Sequence, residues 1–336
     1  MRTTPRTPPG YAAAVAGPRA LITGIGGQDG SYLAESLLAD GYEVIGMLRS
    51  PEDRDLPNLA DAAPRCAFVP GDLEDPASLR RAVGESAPDV LFHLAAPTFV
   101  PDSWRDPTAT LAAIAGGTSA LLAAVAESFP DARVVVVTSA EIFGDSGESP
   151  QNERSPMRPR SPYGVAKLAA HGLVGAMRAH HGLHASSAIT FNHESPRRPV
   201  QFLPRKVTRG VAKIKLGLED ELVLGDLTAS RDWCDARDVV RGLRLMAAAD
   251  APDDYVLASG VSRTVQELVD AAFVRAGIGG EGRVRVDESF VRTPEDTQPL
   301  GDPRKARQAL GWVPEISFEQ TVGDMLAADL GELGAG

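Results

Sequence analysis

Short apolar runs alternate along the first half of the chain with stretches whose apolar residues recur three and four positions apart. The runs predict strands, and the spacing between them predicts helices with one buried face. The predicted strands are 20–23, 43–48, 67–69, 90–95, 133–138 and 187–191, and the predicted helices include 77–83, 110–127 and 163–180. Apolar strands that alternate with helices are typical of α/β proteins with a doubly wound parallel sheet.

The character of the sequence changes after Asn192, where Pro and Arg become frequent and strict alternation ends. We predict a flexible arm over 1–17, a Rossmann-like unit over 18–192 and a smaller substrate lobe over 193–330. A segment near 235–258 is expected to return to the larger unit. The segment 145–160 is rich in Pro, Ser and charged residues, which predicts a surface loop able to move over a site.

Composition narrows the functional class. Lys and Arg total 34 against 45 Asp and Glu, so the net charge of −11 argues against a nucleic-acid partner. Two cysteines exclude a disulfide framework and fit a reducing, cytoplasmic compartment. No stretch of eighteen consecutive apolar residues occurs, so no membrane partner is expected. His180, His181 and His184 are interrupted by Gly182, and we predict no metal site.

The first predicted strand runs into a glycine-rich turn that is typical of dinucleotide binding. Gly24, Gly27 and Gly30 are three residues apart, between a strand and a helix. Such a turn needs a sharp bend, a backbone close to a pyrophosphate, and close helix–strand contact. We therefore predict a nicotinamide cofactor here, bound also by Gln28 and Asp29 of the same turn.

The residue after the second strand bears on the choice of cofactor. NAD enzymes usually hold the ribose hydroxyls with an acid at this position, where this chain has Arg49. A guanidinium suits the 2′-phosphate of NADP, so we predict NADP. NAD stays as the alternative, because Asp53 and Asp55 could serve it. After the third strand, Asp72 could bracket the adenine or could simply cap a helix.

Four residues are the candidate catalytic group. Tyr163 and Lys167 are four apart, on one face of a predicted helix, and an ammonium beside a phenol favours the phenolate. Ser139 and Glu141 follow the valine-rich strand, at the carboxyl edge where such sheets bind ligands. A hydroxyl and a carboxylate there suit chemistry on a bound sugar.

Five blocks of sequence resemble the extended short-chain dehydrogenase/reductases, and within them the GDP-mannose 4,6-dehydratases. They are GIGGQDGSYL from Gly24, SPYGVAK from Ser161, FNHESPRR from Phe191, RDW from Arg231 and GDPRKARQALGW from Gly301. The resemblance covers about residues 19–329. It implies a nucleotide-sugar lyase that converts GDP-mannose to GDP-4-keto-6-deoxymannose on tightly bound NADP. A homodimer or homotetramer is expected, because the predicted helices 110–127 and 163–180 suit a four-helix contact between two copies.

The resemblance also implies roles. Tyr163 would take the proton of the hydroxyl at C4 while hydride passes to NADP, and Ser139 would hydrogen-bond that oxygen. Glu141 would take the C5 proton, water would leave C6, and the hydride would return to C6. The predicted cofactor-binding residues are Gly24, Gly27, Gln28, Asp29, Gly30, Arg49, Ser50, Asp72, Leu73, Leu94, Ala95, Ala96, Thr98, Tyr163, Lys167, His193 and Arg198. The predicted substrate-binding residues are Ser103, Glu141, Asn192, Arg205, Lys206, Arg231, Arg292 and Glu295.

Several positions depart from the family pattern. Ala140 lacks the hydroxyl of the usual Thr-Ser-Glu, which leaves the acid for water loss unassigned. Asp226 replaces an Asn near the expected base pocket and can accept from guanine but not donate to it. Pro97 and Ala109 replace a Gln and a Tyr, and Ser50 replaces a second arginine. The alternatives are a reductase or 4-epimerase of the same fold, or an NADP-sensing regulator without turnover.

Overall fold

The computed structural model describes residues 17–50, 56–290 and 297–335. The strands are β1 (Arg19–Thr23), β2 (Glu43–Leu48), β3 (Ala67–Pro70), β4 (Val90–His93), β5 (Arg133–Val137), β6 (Ala185–Thr190), β7 (Asn192–Glu194), β8 (Leu222–Leu224), β9 (Ser230–Asp235), β10 (Tyr255–Leu257), β11 (Ser262–Thr264) and β12 (Val284–Val286). The helices are α1 (Gln28–Ala39), α2 (Pro76–Ser86), α3 (Pro107–Leu111), α4 (Gly117–Ser128), α5 (Pro162–His181), α6 (Leu203–Lys215), α7 (Ala236–Ala248), α8 (Val265–Ala276), α9 (Arg304–Leu310) and α10 (Phe318–Gly334).

Seven strands form one parallel sheet in the order β3–β2–β1–β4–β5–β6–β10. Apolar side chains of α1 and α7 cover one face, and those of α2, α4 and α5 cover the other. Leu33 and Leu121 are buried side chains of the two layers. Burial of one such side chain stabilises the fold by roughly 1.5–3 kcal/mol. The predicted doubly wound α/β fold is confirmed. The strand order reverses between β1 and β4, so a ligand crevice is expected at their carboxyl ends.

A smaller lobe in the second half of the chain has its own core. Helices α6, α8 and α10 pack together with Trp233 of β9, which stacks on Phe318 at 5.9 Å between ring centroids. The lobe also has a three-stranded sheet, β11–β9–β7, and a β8–β12 pair. Strand β10 pairs with β6 and α7 packs on α1, so residues 236–257 lie in the large sheet unit.

Predicted and observed element bounds differ where polar side chains intervene. The strand predicted over 90–95 ends at His93, because the backbone N–H groups of the next two residues bond to a side chain of β1. The strand predicted over 187–191 begins at Ala185, because Ser186 and Ser187 are fully buried and hydrogen-bonded. Helix α5 matches its prediction within one residue at each end.

The segment 145–160 is fastened in place, contrary to the prediction of a loop able to move. Gln151 is 2% exposed; its amide donates to the carbonyls of Glu148 and Gln298, and its Oε1 accepts from the Leu300 N–H. The Gly147 N–H donates to the Thr297 hydroxyl. Polar composition alone did not reveal these long-range bonds.

Helices α3 and α4 are continuous through a π-helical segment, Ala112–Gly116. Together they are long and apolar enough to cross a membrane by length and composition, and half of that window is buried in the protein. Within this fold, α4 packs against α2 and α5 as a layer of the large unit.

Candidate active site

The glycine turn at the end of β1 has the close approaches that its spacing predicts. Gly24 has a φ of 74°, and a Cβ there would lie 2.9 Å from the Ala95 nitrogen. A Cβ at Gly30 would lie 2.2 Å from the Gly24 carbonyl oxygen. Helix α1 begins after Gly27, which offers no side-chain cap, so its first N–H groups suit an anionic ligand.

The predicted 2′-phosphate position lies at the carboxyl end of β2, next to the strand that carries the glycine turn. Arg49 and Ser50 are both exposed there. Asp53 and Asp55, the residues that could serve NAD instead, lie outside the described part of the chain.

The predicted adenine position follows β3. Asp72 accepts a hydrogen bond from the Glu74 N–H, while the cap of α2 is Asp75. The helix-cap alternative for Asp72 is therefore wrong. Leu73 lies against α4, where a Cβ on Gly117 would be 3.2 Å from it.

The carboxyl end of β4 is tied to β1 through one buried hydroxyl. Thr23 Oγ1 accepts from the N–H groups of Leu94 and Ala95, each at 3.1 Å, so its own proton goes to His93 Nδ1 at 2.7 Å. Burial lowers the pKa of His93 to about 3, which keeps the ring neutral. The backbone that leads to the cofactor side is thus fixed. Ala96 and Thr98, which are also predicted to bind the cofactor, follow directly in this segment.

The catalytic corner, which we define as Ser139, Glu141, Tyr163 and Lys167, forms where α5 meets the end of β5. A Cβ on Gly164 would lie 2.7 Å from the Glu141 carbonyl oxygen, so this glycine allows α5 to approach the turn that carries Glu141. Ser139 caps that turn by accepting from the Glu141 N–H. The structure therefore brings together all four predicted catalytic residues.

Burial moves both ionisable groups on α5 toward their neutral forms. It raises the pKa of Tyr163 to about 12; the hydrogen bond with Ser139 opposes this and the charge of Glu141 adds to it. Burial lowers the pKa of Lys167 to about 8. Lys167 Nζ donates to the Val137 carbonyl at 2.8 Å and lies 5.8 Å from the Tyr163 ring centroid. The corner holds a protonated phenol beside a cation that can stabilise its phenolate.

A second cluster joins the glycine turn to the FNHESPRR segment. We call it the turn clamp: Gln28, Asp29, His193, Ser195 and Arg197. The Gln28 amide donates to the His193 carbonyl at 3.1 Å and accepts from the Ser195 hydroxyl at 2.8 Å. Arg197 stacks 3.9 Å over the Tyr32 ring and pairs with Glu35. Sequence reasoning gave no role to Ser195 or Glu35.

His193 is the charged centre of the clamp. Its Nε2 lies 2.8 Å from an Asp29 carboxylate oxygen, and its Nδ1 lies 2.7 Å from the Phe191 carbonyl. Both partners are acceptors, so both ring nitrogens carry protons. Burial alone would lower the pKa of His193, but the Asp29 charge and hydrogen bond outweigh it and raise that pKa. Burial likewise opposes the effect of His193 on Asp29, whose pKa is lowered overall.

Glu194 was missed by sequence reasoning, although it lies inside the quoted FNHESPRR block. Its side chain is 4% exposed, and its Oε2 lies 3.2 Å from Nε of Arg198. The two atoms are within ion-pair distance, but neither makes a hydrogen bond in the described chain. Burial raises the pKa of Glu194, against the charge of Arg198. The Arg198 guanidinium rests 3.7 Å from the Phe202 ring centroid.

Arg205, predicted to bind substrate, has a different set of partners. Its guanidinium is 5% exposed and donates to Asp329 and Glu332 of α10 and to the carbonyls of Pro196 and Arg198. These bonds use its donors inside the protein, because Asp329 is fully buried and needs a cation. The structure therefore corrects Arg205 from a substrate ligand to a brace behind the turn clamp.

The other predicted substrate residues are spread around the lobe. Asn192 of β7 pairs in register with Trp233 of β9, two residues from Arg231. Ser103 is buried and donates to the Val100 carbonyl, so its hydroxyl is already engaged. Lys206 is exposed on α6, and Arg292 and Glu295 lie outside the described residues.

Asp226, the departure near the expected base pocket, closes a local turn. Its Oδ1 accepts from the N–H and the hydroxyl of Thr228. Both hydrogen bonds lower the pKa of Asp226, and the bond from the Thr228 hydroxyl has the larger effect. The side chain is therefore an exposed carboxylate.

The residues present fit a nicotinamide dinucleotide. Side chains at Gly24 and Gly30 would fill the turn, and the first N–H groups of α1 are free of a side-chain cap. Tyr163 and Lys167 place a phenol and an ammonium, the two kinds of group that carbonyl chemistry beside such a cofactor needs, next to each other.

Comparison with known proteins agrees with this arrangement. A sequence profile of the family described as GDP-mannose 4,6 dehydratase matches residues 21–325. The chain is 41% identical over 325 residues to GDP-mannose 4,6 dehydratase 1 of Arabidopsis thaliana, covering 93% of this chain and 89% of that protein.

Two solved structures share the fold. RMD from Pseudomonas aeruginosa, complexed with NADPH, superposes with a TM-score of 0.78 at 27% identity, over 94% of this chain and 99% of its own. DesIV, a dTDP-glucose 4,6-dehydratase from Streptomyces venezuelae with NAD and TYD bound, superposes with a TM-score of 0.80 at 27% identity, over 94% and 98%. By sequence profile, overall identity and fold, the chain belongs to the GDP-mannose 4,6-dehydratase family.

Proposed function

We propose that the protein is a nucleotide-sugar 4,6-dehydratase that removes water from GDP-mannose and gives GDP-4-keto-6-deoxymannose. The observation that carries the proposal is Glu141 beside Tyr163 and Ser139, at the carboxyl edge of a sheet with a dinucleotide turn. A simple reductase needs one acid or base, whereas elimination needs a second one.

Each residue of the catalytic corner has a distinct task. Tyr163 removes the proton of the sugar hydroxyl at C4, and Lys167 stabilises the phenolate from which it acts. Ser139, which hydrogen-bonds Tyr163, orients that hydroxyl. Glu141 takes the proton from C5, made acidic by the C4 ketone, and returns it to the hydroxyl that leaves C6, because Ala140 offers no proton. Bound NAD(P) supplies a hydride acceptor at C4 and a hydride donor at C6.

We infer that the cofactor is NADP. Arg49 at the end of β2 is the support, because a guanidinium pairs with a phosphate through two parallel hydrogen bonds. Competition between NADP and NAD for the same site tests it: wild type should prefer NADP, and Arg49→Ala should lose the preference. Equal affinity for both in the wild type would reject it.

We further infer a cytoplasmic homo-oligomer. Both cysteines are free thiols, which supports a reducing compartment. Leu111 of α3 and Val165 of α5 are 41% and 44% exposed, and two such apolar helices can meet their copies in a symmetric contact. Sedimentation of the wild type and of Val165→Glu tests the contact: a wild type that sediments as a monomer rejects it.

The first experiment is mass spectrometry of GDP-mannose incubated with the protein and catalytic NADP. A product lighter by one water, formed without net consumption of cofactor, supports the proposal.

The second candidate is a reductase or epimerase of the same fold. It is favoured by Ala140, because an alanine cannot donate the proton that water loss requires. Net cofactor oxidation would indicate a reductase, and an isomer of unchanged mass would indicate an epimerase. Cofactor binding without turnover of any nucleotide sugar would indicate a regulator.

A further inference from the structure

We propose that His171 is a positioning residue for the catalytic corner, because a chain of hydrogen bonds through Ser187 joins it to Thr138 at the end of β5. Ser139 comes next in the sequence and caps the turn that carries Glu141. The inference rests on the proposed function only in giving the catalytic corner a part in hydride transfer. It assigns a role to a side chain that the proposed cycle does not use.

The chain of hydrogen bonds runs from α5 into the sheet. Nδ1 of His171 lies 2.9 Å from the Ser187 hydroxyl oxygen, and that oxygen lies 3.0 Å from the hydroxyl oxygen of Thr138. The Thr138 hydroxyl donates to the carbonyl of Ala188 at 3.1 Å. Ser187 and Thr138 are buried, so their hydroxyl groups depend on partners inside the protein.

The carbonyl of Ala188 fixes the direction of every bond in this chain. Thr138 donates its only hydroxyl proton to that carbonyl, so it accepts from Ser187. The proton of Ser187 is then engaged, so Ser187 accepts from His171. Nδ1 of His171 therefore carries a hydrogen.

The surroundings of His171 keep its ring neutral. Burial lowers the pKa of His171; the charge of Asp254 opposes this effect and the charge of Arg178 adds to it. Above about pH 7 the ring is therefore uncharged. It holds its one hydrogen on Nδ1 and none on Nε2.

Helix α5 thus holds two successive residues where β5 ends. Lys167 lies four residues before His171, on the same face of the helix, and donates to the Val137 carbonyl at 2.8 Å. His171 holds the next residue, Thr138, through the hydroxyl chain. The Ser139 hydroxyl, which hydrogen-bonds the catalytic phenol, follows directly on this fixed backbone.

Nitrogen-15 NMR of protein with labelled histidines tests the chain at about pH 7.5, without any substrate. The signals that disappear in His171→Asn identify the ring in the wild type. We expect the shifts of a neutral imidazole with its hydrogen on Nδ1. A neutral ring with its hydrogen on Nε2 overturns the proposal.

Reduction of bound NADP by GDP-mannose in a single turnover tests the consequence for the catalytic corner. His171→Leu removes the donor, and we expect the rate to fall roughly tenfold, because small displacements of reacting groups slow a step strongly. The dissociation constants of cofactor and sugar should stay unchanged. His171→Asn places an amide N–H near the position of Nδ1 and should retain most of the rate.

His184→Leu is the matched control, since it breaks a bond from another partly buried histidine, to the Ala249 carbonyl. It should reduce NADP at the wild-type rate. Circular dichroism verifies that each variant folds. If His171→Leu does not fold, Ser187→Ala interrupts the same chain and should show the same loss of rate.

Two kinetic outcomes overturn the positioning role. One is a folded His171→Leu that reduces NADP at the wild-type rate. The other is an equal loss of rate in folded His171→Leu and His171→Asn, which would mean that the packing of the ring matters and its N–H does not. A wild type that reduces NADP with GDP-mannose but releases no water contradicts the proposed function alone.

Discussion

The charge of Asp29 in the turn clamp acts on Tyr163 and Lys167 in the catalytic corner, yet the two clusters shift the pKa values of their buried groups in opposite directions. In the clamp, Asp29 and His193 face each other, and their pKa values move toward the charged forms, down for the acid and up for the base. In the corner, the hydrogen-bond partners of Tyr163 and Lys167 within the described residues are a neutral hydroxyl and a neutral carbonyl. Their pKa values move toward the neutral forms, up for the acid and down for the base.

The difference separates positioning from reactivity. A buried pair of opposite charges satisfies itself and changes little when a ligand arrives, so it is suited to hold the glycine turn. Burial brings the pKa of Lys167 to about 8, close to neutral pH, so a bound substrate or cofactor can change its protonation. The pKa of Tyr163, about 12, has to be lowered by its surroundings before the phenol acts as a base. The clamp should therefore govern binding and stability, and the corner should govern the chemical step.

The most severe way to break the corner is Tyr163→Phe. We expect the first hydride transfer to fall roughly 10²–10⁴-fold, because the base for the C4 hydroxyl is lost while the ring keeps its packing. Absorbance of the reduced cofactor in a single turnover measures the step. Normal cofactor reduction in this variant would contradict the phenolate assignment.

Glu141→Gln should separate the two halves of the cycle. The amide cannot accept the C5 proton, so we expect water loss to fall roughly 10²–10³-fold while the dissociation constant of the cofactor stays unchanged. Mass spectrometry of the product measures water loss. Glu148→Gln, the same change at an exposed side chain of the segment 145–160, is the control. Dehydration by Glu141→Gln at the wild-type rate would exclude its role.

The residues of the catalytic corner could be predicted from the sequence, whereas those of the turn clamp could be predicted only in part. Tyr163 and Lys167 are related by helix periodicity, and Ser139 and Glu141 by the end of a strand, so local rules place them. The clamp and its brace join residues far apart in the chain: Gln28 to His193, and Arg205 to Asp329. No local pattern reveals such bonds.

Misplaced predictions share that cause. Arg205 was predicted to bind substrate because arginine is a common ligand of phosphate groups. Only the fold shows that a buried carboxylate of α10 already pairs with it. The segment 145–160 has the composition of a mobile loop, and only the fold shows Gln151 bonded to residues near 300. The sheet itself depends on the apolar runs, and its predicted architecture was confirmed.

Asp329→Asn should weaken the clamp from behind. Arg205 would lose a fully buried counter-ion, and breaking such a pair costs roughly 3–5 kcal/mol of unfolding free energy. We also expect weaker cofactor binding, since Arg205 holds the backbone of Arg198. Denaturant unfolding and calorimetry measure the two effects. Glu221→Gln, in the exposed pair with Arg285, should change stability by less than about 1 kcal/mol. If Asp329→Asn and Glu221→Gln lost equal amounts of unfolding free energy, the buried pair of Arg205 and Asp329 would not act as a brace.

The pH dependence of stability offers the finest comparison, through His193→Gln. A raised pKa in the folded state adds stability that is complete below the unfolded value of about 6.5 and is lost as pH rises through the raised pKa. The lowered pKa of Asp29 adds stability above about pH 4 that is lost on acidification. Because Arg198 and Glu194, the other charged groups next to His193, stay in both proteins, the difference between wild type and variant isolates the Asp29–His193 pair.

The unfolding free energy lost in His193→Gln should be largest between about pH 4 and 6.5 and should shrink as the solution becomes alkaline. Thermal unfolding across pH measures it, with His180→Gln on the exposed end of α5 as control. A loss that is constant across pH would mean that His193 packs in the clamp without carrying charge.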